Sequence, residues 1–335
     1  MPEVLRIPDD VAIPLLGCIA FGILDRGTNL LQVRPTTLCP LSCVFCSVDA
    51  GPSTKNRRTE FIVRADYLLE EFRRVAALKG RGLEAHIDTV GDPLTHPEIV
   101  SIVQGIADVP EVEVISMQTH GALLSEHLAE ELAEAGLSRI NLSIDALDPE
   151  LARRLAGTPS YDIERVLKVA EHIARSTTAD LLISPVWVPG VNDEEIVKIV
   201  EAAIKIGAGK RWPPLGIQKM EVHKYGRRPK GVRPMSWYEF YKRLRMMEEK
   251  FGVKLVLRPE DFNIHKRARV PLPFKKFERI KVDVVSTGWL RGEVLGVAKG
   301  RAVTLIDCAD GCIGRRVRAI VISVKDGIVM ARCLD

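Results

Sequence analysis

The sequence predicts an α/β protein, a run of parallel βα units followed by a small all-β barrel. Two observations carry that class. Between about residue 29 and 257, short β-rich runs alternate with stretches whose apolar residues recur at three-and-four spacing. From Glu278 onward, five short strand candidates are separated by Gly-containing turns. With 335 residues, 46% hydrophobic and 27% charged, the chain can bury a full core and lies far from the composition of disordered proteins.

The strand-like runs are Leu30 to Val33, Ala85 to Val90, Val112 to Met117, Arg139 to Ile144, Leu181 to Val188 and Leu215 to Val222. Helical patterns lie between them at Ala65 to Leu78, Leu124 to Ala135, Ile163 to Ala174 and Glu194 to Ile206. Asn192-Asp193 ahead of Glu194-Glu195 reads as a helix cap with acids in the first turn. Alternation of this kind implies parallel pairing, and periodicity leaves both a closed barrel and an open sheet possible. The later strand candidates are Arg279 to Val285, Glu293 to Val297, Ala302 to Ile306, Arg316 to Val324 and Ile328 to Cys333, with Lys325-Asp326-Gly327 as a tight hairpin turn. These patterns divide the chain into an N-terminal extension (1–28), an α/β core (29–257), a basic linker with Pro259, Pro271 and Pro273 (258–277), and a β-barrel (278–335).

The net charge of +4 hides an asymmetry. Residues 1–204 hold 18 Lys and Arg against 31 Asp and Glu, a balance of −13, and residues 205–301 hold 25 against 9, a balance of +16. The second region is a candidate polyanion surface. No basic segment leads into an apolar run at the N-terminus, and no apolar stretch approaches the roughly 18 residues of a membrane span, so a cytoplasmic protein without a membrane partner is expected. Three of the seven cysteines fall within residues 39–46 and the others are scattered, which is ligand spacing rather than a disulfide framework. The abundance of Lys, Arg, Glu, Val and Ile hints at a hyperthermophilic source, where intracellular disulfides do occur.

The sharpest motif is Cys39-Pro40-Leu41-Ser42-Cys43-Val44-Phe45-Cys46, just after the first core strand. Three thiolates on one loop can ligate three irons of a cubane and leave the fourth open. A structural zinc site or a closed cluster would need a fourth ligand, for which His86, His96 or a distant cysteine are candidates. This CxxxCxxC spacing, with an aromatic Phe45 before the last cysteine, resembles the radical S-adenosylmethionine superfamily. The resemblance covers about residues 29–257 and implies a partial (β/α)6 barrel. It also implies a [4Fe-4S] cluster on Cys39, Cys43 and Cys46, S-adenosylmethionine at the open iron, and a 5′-deoxyadenosyl radical that takes a hydrogen atom from substrate. An electron donor such as ferredoxin or flavodoxin follows from that chemistry.

Further segments are similar to the same family. Thr89-Val90-Gly91-Asp92-Pro93-Leu94 looks like its GGEP segment, which contacts the methionine ammonium, although Val90 replaces a glycine and Asp92 a glutamate. Asn141, Ser143 and Asp145, on one face by alternation, resemble the Ser-x-Asp of the molybdenum-cofactor biosynthesis branch, near the ribose and methionine of the cofactor. Val188, opening Val188 to Asp193, resembles the fifth-strand end near the adenine.

Residues 278–335 resemble the TRAM module, a small OB-like RNA-binding barrel, through Arg291-Gly292-Glu293-Val294, Gly311 to Val317 and the Lys325-Asp326-Gly327 turn. Upstream, Lys224, Tyr225, Arg227 and Arg228 interleave cations with one ring, and Lys266, Arg267 and Arg269 add a second cluster, a composition suited to RNA phosphates and bases. Together these suggest an enzyme that modifies RNA, tRNA first, by methyl or sulfur-group transfer. The alternatives are a radical enzyme acting on a small molecule or peptide, and a non-catalytic iron-sulfur RNA-binding protein. Methylthiotransferases of the family carry a further three-cysteine domain, whereas only Cys18 precedes the core here. Cys308 and Cys312 could be proposed as the extra cysteine pair of an adenine methylase, but they are first expected as barrel packing.

Overall fold

The computed structural model describes residues 2–309 and 311–334. The first half of the chain forms β1 (Glu3–Ile7), β2 (Gly22–Asp25), β3 (Leu30–Arg34), β4 (Thr59–Val63), α1 (Ala65–Lys79), β5 (Leu83–Ile87), α2 (Ile99–Ala107), β6 (Val112–Thr119), α3 (Glu126–Glu134) and β7 (Arg139–Leu142). There follow α4 (Pro149–Ala156), α5 (Ile163–Ser176), β8 (Asp180–Ile183), β9 (Val186–Trp187), α6 (Asp193–Ile206), β10 (Gln218–Lys219) and α7 (Trp237–Phe251). The last elements are β11 (Arg279–Thr287), β12 (Glu293–Ala298), β13 (Arg301–Ile306), β14 (Arg316–Ser323) and β15 (Met330–Cys333). They divide into two compact units, one of Met1–Leu38, Thr54–Glu113 and Lys266–Asp335, the other of Cys39–Ser53 and Val114–His265.

In the first unit, β3 runs parallel to β5. Strand β2 lies in the stretch expected as an N-terminal extension, where no strand was read, and it pairs antiparallel with β3 from Gly22↔Arg34 to Asp25↔Leu31. A short reversal at Arg26 to Asn29 suffices for that hairpin, whereas a parallel partner would need a crossover. Upstream, β1 pairs parallel with β4. Helix α1 buries Leu68, Leu69, Phe72, Val75 and Ala76, one stripe at helical spacing, and packs on α2.

The same unit holds a closed five-stranded barrel in the order β11-β12-β13-β15-β14. Alternation along β11 sends Ile280, Val282 and Val284 inward to meet Val303, Leu305, Ala319, Val321 and Ala331. Asp326 and Gly327 take positive φ (56° and 76°), as the expected hairpin turn requires. The barrel is fastened to the N-terminal segments by main-chain bonds. Ala302 N–H donates to Leu16 O and Val329 N–H to Gly17 O, each at 2.8 Å. Gly17 is at φ +114°, and a Cβ there would enter the Ala302 carbonyl. The expected linker is likewise fixed: Arg267 N–H donates to Gly27 O (2.9 Å) and Val270 N–H to Asp25 Oδ2 (2.7 Å).

Two cysteine expectations change here. Cys308 is joined to Cys333 by a disulfide, so it is not a free packing thiol, and it does not form a dithiol with Cys312, which is buried and free. The Cα atoms of Cys308 and Cys333 lie 5.1 Å apart, within the reach of a bridge.

The second unit contains β6, β7 and β8 in parallel register, from Ser116↔Arg139 and Arg139↔Asp180. The single strand expected at 181–188 is two, β8 and β9, interrupted at Ser184-Pro185, where proline has no N–H to give the ladder. The strand expected at 215–222 shrinks to β10, paired with β9, plus an isolated Ile183↔Leu215 bridge. Asn192 does stand at the N-cap of α6, but its side chain makes no capping bond and is used elsewhere. Among the described residues no helix is long and apolar enough to cross a membrane.

Candidate functional site

The cysteine loop, in the second unit, is held from two sides. Helix α4 ends at Gly157 in the left-handed region, and its last carbonyls would lack helical partners. The loop supplies them: Ser42 N–H donates to Ala156 O (3.0 Å) and Val44 N–H to Leu155 O (2.9 Å). A Cβ on Gly157 would run into the Ser42 carbonyl, so the close approach requires glycine.

On the other side stands Arg227. Its N–H donates to Cys46 O (2.7 Å), its Nε to Cys43 O (2.8 Å) and its Nη2 to Ala50 O, and its Nη1 pairs with Asp49 at 2.9 Å. The expectation that Arg227 belongs to an RNA surface is corrected by these bonds, because its planar fork of donors is spent inside the cysteine loop. Ala50 N–H also donates to Cys46 Sγ (3.3 Å).

Cys43 is buried beside Cys39, Cys46 and Asp145. Burial, then the charges of Asp145, Cys39 and Cys46, push its thiol well above the ordinary range, and Arg227 opposes them. Thiols that repel one another on ionising form a donor set that a cationic centre would satisfy, which fits an iron-sulfur cluster. Among the described residues no three His, Cys, Asp or Glu side chains converge on a single ion. His96, one candidate fourth ligand, has both ring nitrogens engaged, by Val63 O (2.7 Å) and Glu98 N–H (3.1 Å).

The neighbour that sequence reasoning missed is His120, just after β6, whose Nε2 lies 3.7 Å from Cys43 Sγ. Burial raises the Asp145 carboxyl above its usual range, while His120 and the Val186 N–H (2.7 Å) pull it back. The Asn192 side chain donates to Asp145 O (2.8 Å) and Val186 O (2.9 Å) and accepts from Val188 N–H (2.8 Å). It thereby joins Asp145 to Val188. Ser143 accepts from Gln118 Nε2 (2.8 Å), which also donates to Ser184 Oγ (2.9 Å). Asn141, on β7, accepts from Arg139 Nε (3.0 Å). Phe45 and Val188 are buried.

Gly91 and Asp92 lie in the first unit, where the chain reaches Leu38, the residue before Cys39. Asp92 N–H donates to Leu38 O (2.7 Å), and a Cβ on Gly91 would overlap the carbonyl oxygens of Leu38 and Thr37. The buried Asp92 carboxylate accepts from Leu94 N–H (3.1 Å). Arg57, with a fully buried side chain, braces the same region: it donates to Thr37 O (2.7 Å) and Val90 O and pairs with Glu60 (3.1 Å). Its guanidinium stacks 4.9 Å from the Trp289 ring of the barrel.

The other basic candidates are spread over both units. Lys224 and Tyr225 are exposed, with Nζ 4.8 Å over the ring, and Arg228 Nε donates to Val232 O (2.7 Å). Lys266 bridges to Thr28, Arg267 donates to Lys79 O (3.2 Å), and Arg269 donates to Arg26 O (3.3 Å).

A βα core with three cysteines on the loop after its first parallel strand defines a class, and comparison agrees. The chain belongs to the radical SAM superfamily, whose family model matches residues 33–203. The uncharacterized protein MJ0103 of Methanocaldococcus jannaschii is 40% identical over 340 residues, 95% of this chain and 78% of that protein. The GTP 3′,8-cyclase of Alkaliphilus oremlandii is 31% identical over 178 residues, 53% of each chain. This chain therefore spans about half the length of the cyclase, in keeping with the expected likeness to the molybdenum-cofactor branch. Streptococcus suis SuiB superposes with a TM-score of 0.51 at 18% identity, over 68% of this chain and 47% of SuiB, a likeness of fold. The superfamily uses a [4Fe-4S] cluster and S-adenosylmethionine.

Proposed function

We propose that this radical SAM enzyme modifies RNA, tRNA first among substrates, by methyl or sulfur-group transfer. Cys39, Cys43 and Cys46 would hold the cluster, with Phe45, Gly91, Asp92, Asn141, Ser143, Asp145 and Val188 around the S-adenosylmethionine. When bound and reduced by a ferredoxin or flavodoxin, that pair supplies an oxidising carbon radical. The chain's residues have other tasks. Arg227 and the end of α4 fix the cysteine loop. Asn192 fixes Asp145 against Val188.

The observation that carries the RNA reading is the outer face of the barrel, which supports its assignment as a TRAM-like module. Lys281 and Arg318 are exposed and directly opposite each other on β11 and β14, and Arg279 and Arg332 flank them through Ile320. Exposed cations in one row across neighbouring strands, Arg332 among them paired with Asp307 (3.0 Å), suit the phosphates of a polyanion laid across the face. RNA affinity should therefore fall linearly with salt on a log–log scale. The double substitution Lys281→Gln and Arg318→Gln should weaken binding and reduce the slope by about 1 for each phosphate no longer neutralised. An unchanged slope would remove the barrel face from the RNA site. The likeness to a GTP 3′,8-cyclase favours a second reading, a free purine nucleotide as substrate, and cofactor cleavage stimulated by nucleotide but not by tRNA would select it.

A further inference from the structure

Helix α7 has two unlike faces. Ser236 caps it by accepting from Glu239 N–H (3.1 Å), and Gly252 ends it in the left-handed region. Phe240, Leu244 and Met247 form the buried stripe, and Arg243 ties the helix to Asp193 at the start of α6 (3.0 Å). The buried stripe and that ion pair fix the helix, and two rings of its other face, Trp237 and Tyr241, also meet Phe240 edge-on at 5.9 and 5.6 Å. That face carries Trp237, Tyr241 and Arg245 at i, i+4 and i+8, with Tyr238 and Lys242 in the adjoining row.

The three rings are open to solvent, Trp237 at 54%, Tyr238 at 74% and Tyr241 at 36%. Contiguous exposed aromatics on a folded protein mark a binding surface, because each ring left in water forgoes a large burial. They are already arranged: Trp237 and Tyr241 stack with centroids 5.7 Å apart and planes 25° from parallel, and Lys219 Nζ lies 4.8 Å over Trp237. The segment that carries them is rich in cations, although Arg227 and Arg243 are paired with Asp49 and Asp193. Residues 219–250 contain 10 Lys and Arg against 4 Glu. Of the four, Glu221 is paired with Lys219, Glu239 with Arg243, and Glu248 accepts from Leu255 and Val256 N–H.

We propose that this face of α7 is a base-stacking platform for single-stranded RNA, with Trp237, Tyr238 and Tyr241 taking bases and Lys242 and Arg245 taking phosphates. The proposal rests on the RNA reading above and locates a second contact for that substrate. Rings interleaved with cations suit nucleic acid, since every base offers a π-face and every linkage a charge. A protein partner suits the face less well, because charged residues are depleted at the centres of protein interfaces.

Trp237 makes the test direct, because the other tryptophans, Trp187, Trp212 and Trp289, are buried. The full-length chain is titrated with an unstructured oligoadenylate of about a dozen nucleotides, within the range one site spans. Binding should quench tryptophan emission. The double variant Trp237→Leu, Tyr241→Leu should lose the quench and bind roughly ten- to a hundredfold more weakly, with the salt slope unchanged because no charge is removed. Tyr238→Ala, at a side chain of little structural role, should weaken binding several-fold and serves if the double variant does not fold. Oligoadenylate binding that leaves emission unquenched, or variants that bind as the parent does, would overturn the platform and leave the RNA reading standing. A parent chain that binds neither oligoadenylate nor tRNA would overturn both.

Discussion

Arg227→Ala should release the cysteine loop and leave the reconstituted protein with little bound iron. The arginine is anchored to Cys43 O, Cys46 O, Ala50 O and Asp49, whose side chain is only 2% exposed. Breaking a buried ion pair by removing one member costs about 3–5 kcal/mol. Here that cost falls on the segment between Cys43 and Ala50. Arg227→Lys should be intermediate, since an ammonium keeps the charge but cannot reach the carbonyls and the carboxylate with one fixed fork. Iron content per chain and thermal unfolding report the effect. Full iron retention with an unchanged midpoint in Arg227→Ala would show that the loop holds itself.

Gly91→Ala should weaken S-adenosylmethionine binding by about ten- to a hundredfold, corresponding to the roughly 1–3 kcal/mol of an overpacked site. Both atoms that the new methyl would strike are backbone carbonyl oxygens, of Thr37 and Leu38, so no side chain can swing aside. The chain would have to move at the residue before Cys39, or Asp92 N–H would lose its bond to Leu38 O. Equilibrium binding of the cofactor to the anaerobic, cluster-loaded variant measures this. Parent-like affinity would take the Gly91-Asp92 turn out of the cofactor site.

The cysteine triplet was legible because all its chemistry lies within eight residues of sequence. What holds it was not. Arg227 is 184 residues from Cys43 and His120 is 77 residues away, so Arg227 read only as part of a basic run and His120 as nothing at all. Most strands and helices appeared within a few residues of their observed ends, because apolar periodicity reports burial directly. The failures have local causes. Pro185 breaks an apolar run that looked continuous, and β2 pairs through a reversal too short to leave a periodic signal. Helix α7 was missed although Ser236, Glu239 and Gly252 mark its ends, because its aromatic face blurs the apolar stripe. The Cys308–Cys333 bridge depends on β13 and β15 lying side by side, which only the closed barrel brings about.

Product analysis decides whether Cys39, Cys43 and Cys46 hold the centre on which everything else depends. The anaerobically reconstituted and reduced protein is incubated with S-adenosylmethionine, and 5′-deoxyadenosine is quantified by chromatography. The parent should form it, and the variant with all three cysteines replaced by alanine should form none and carry no cluster. Equal product from the triple variant, or none from a parent shown to hold a reduced cluster, would contradict the assignment.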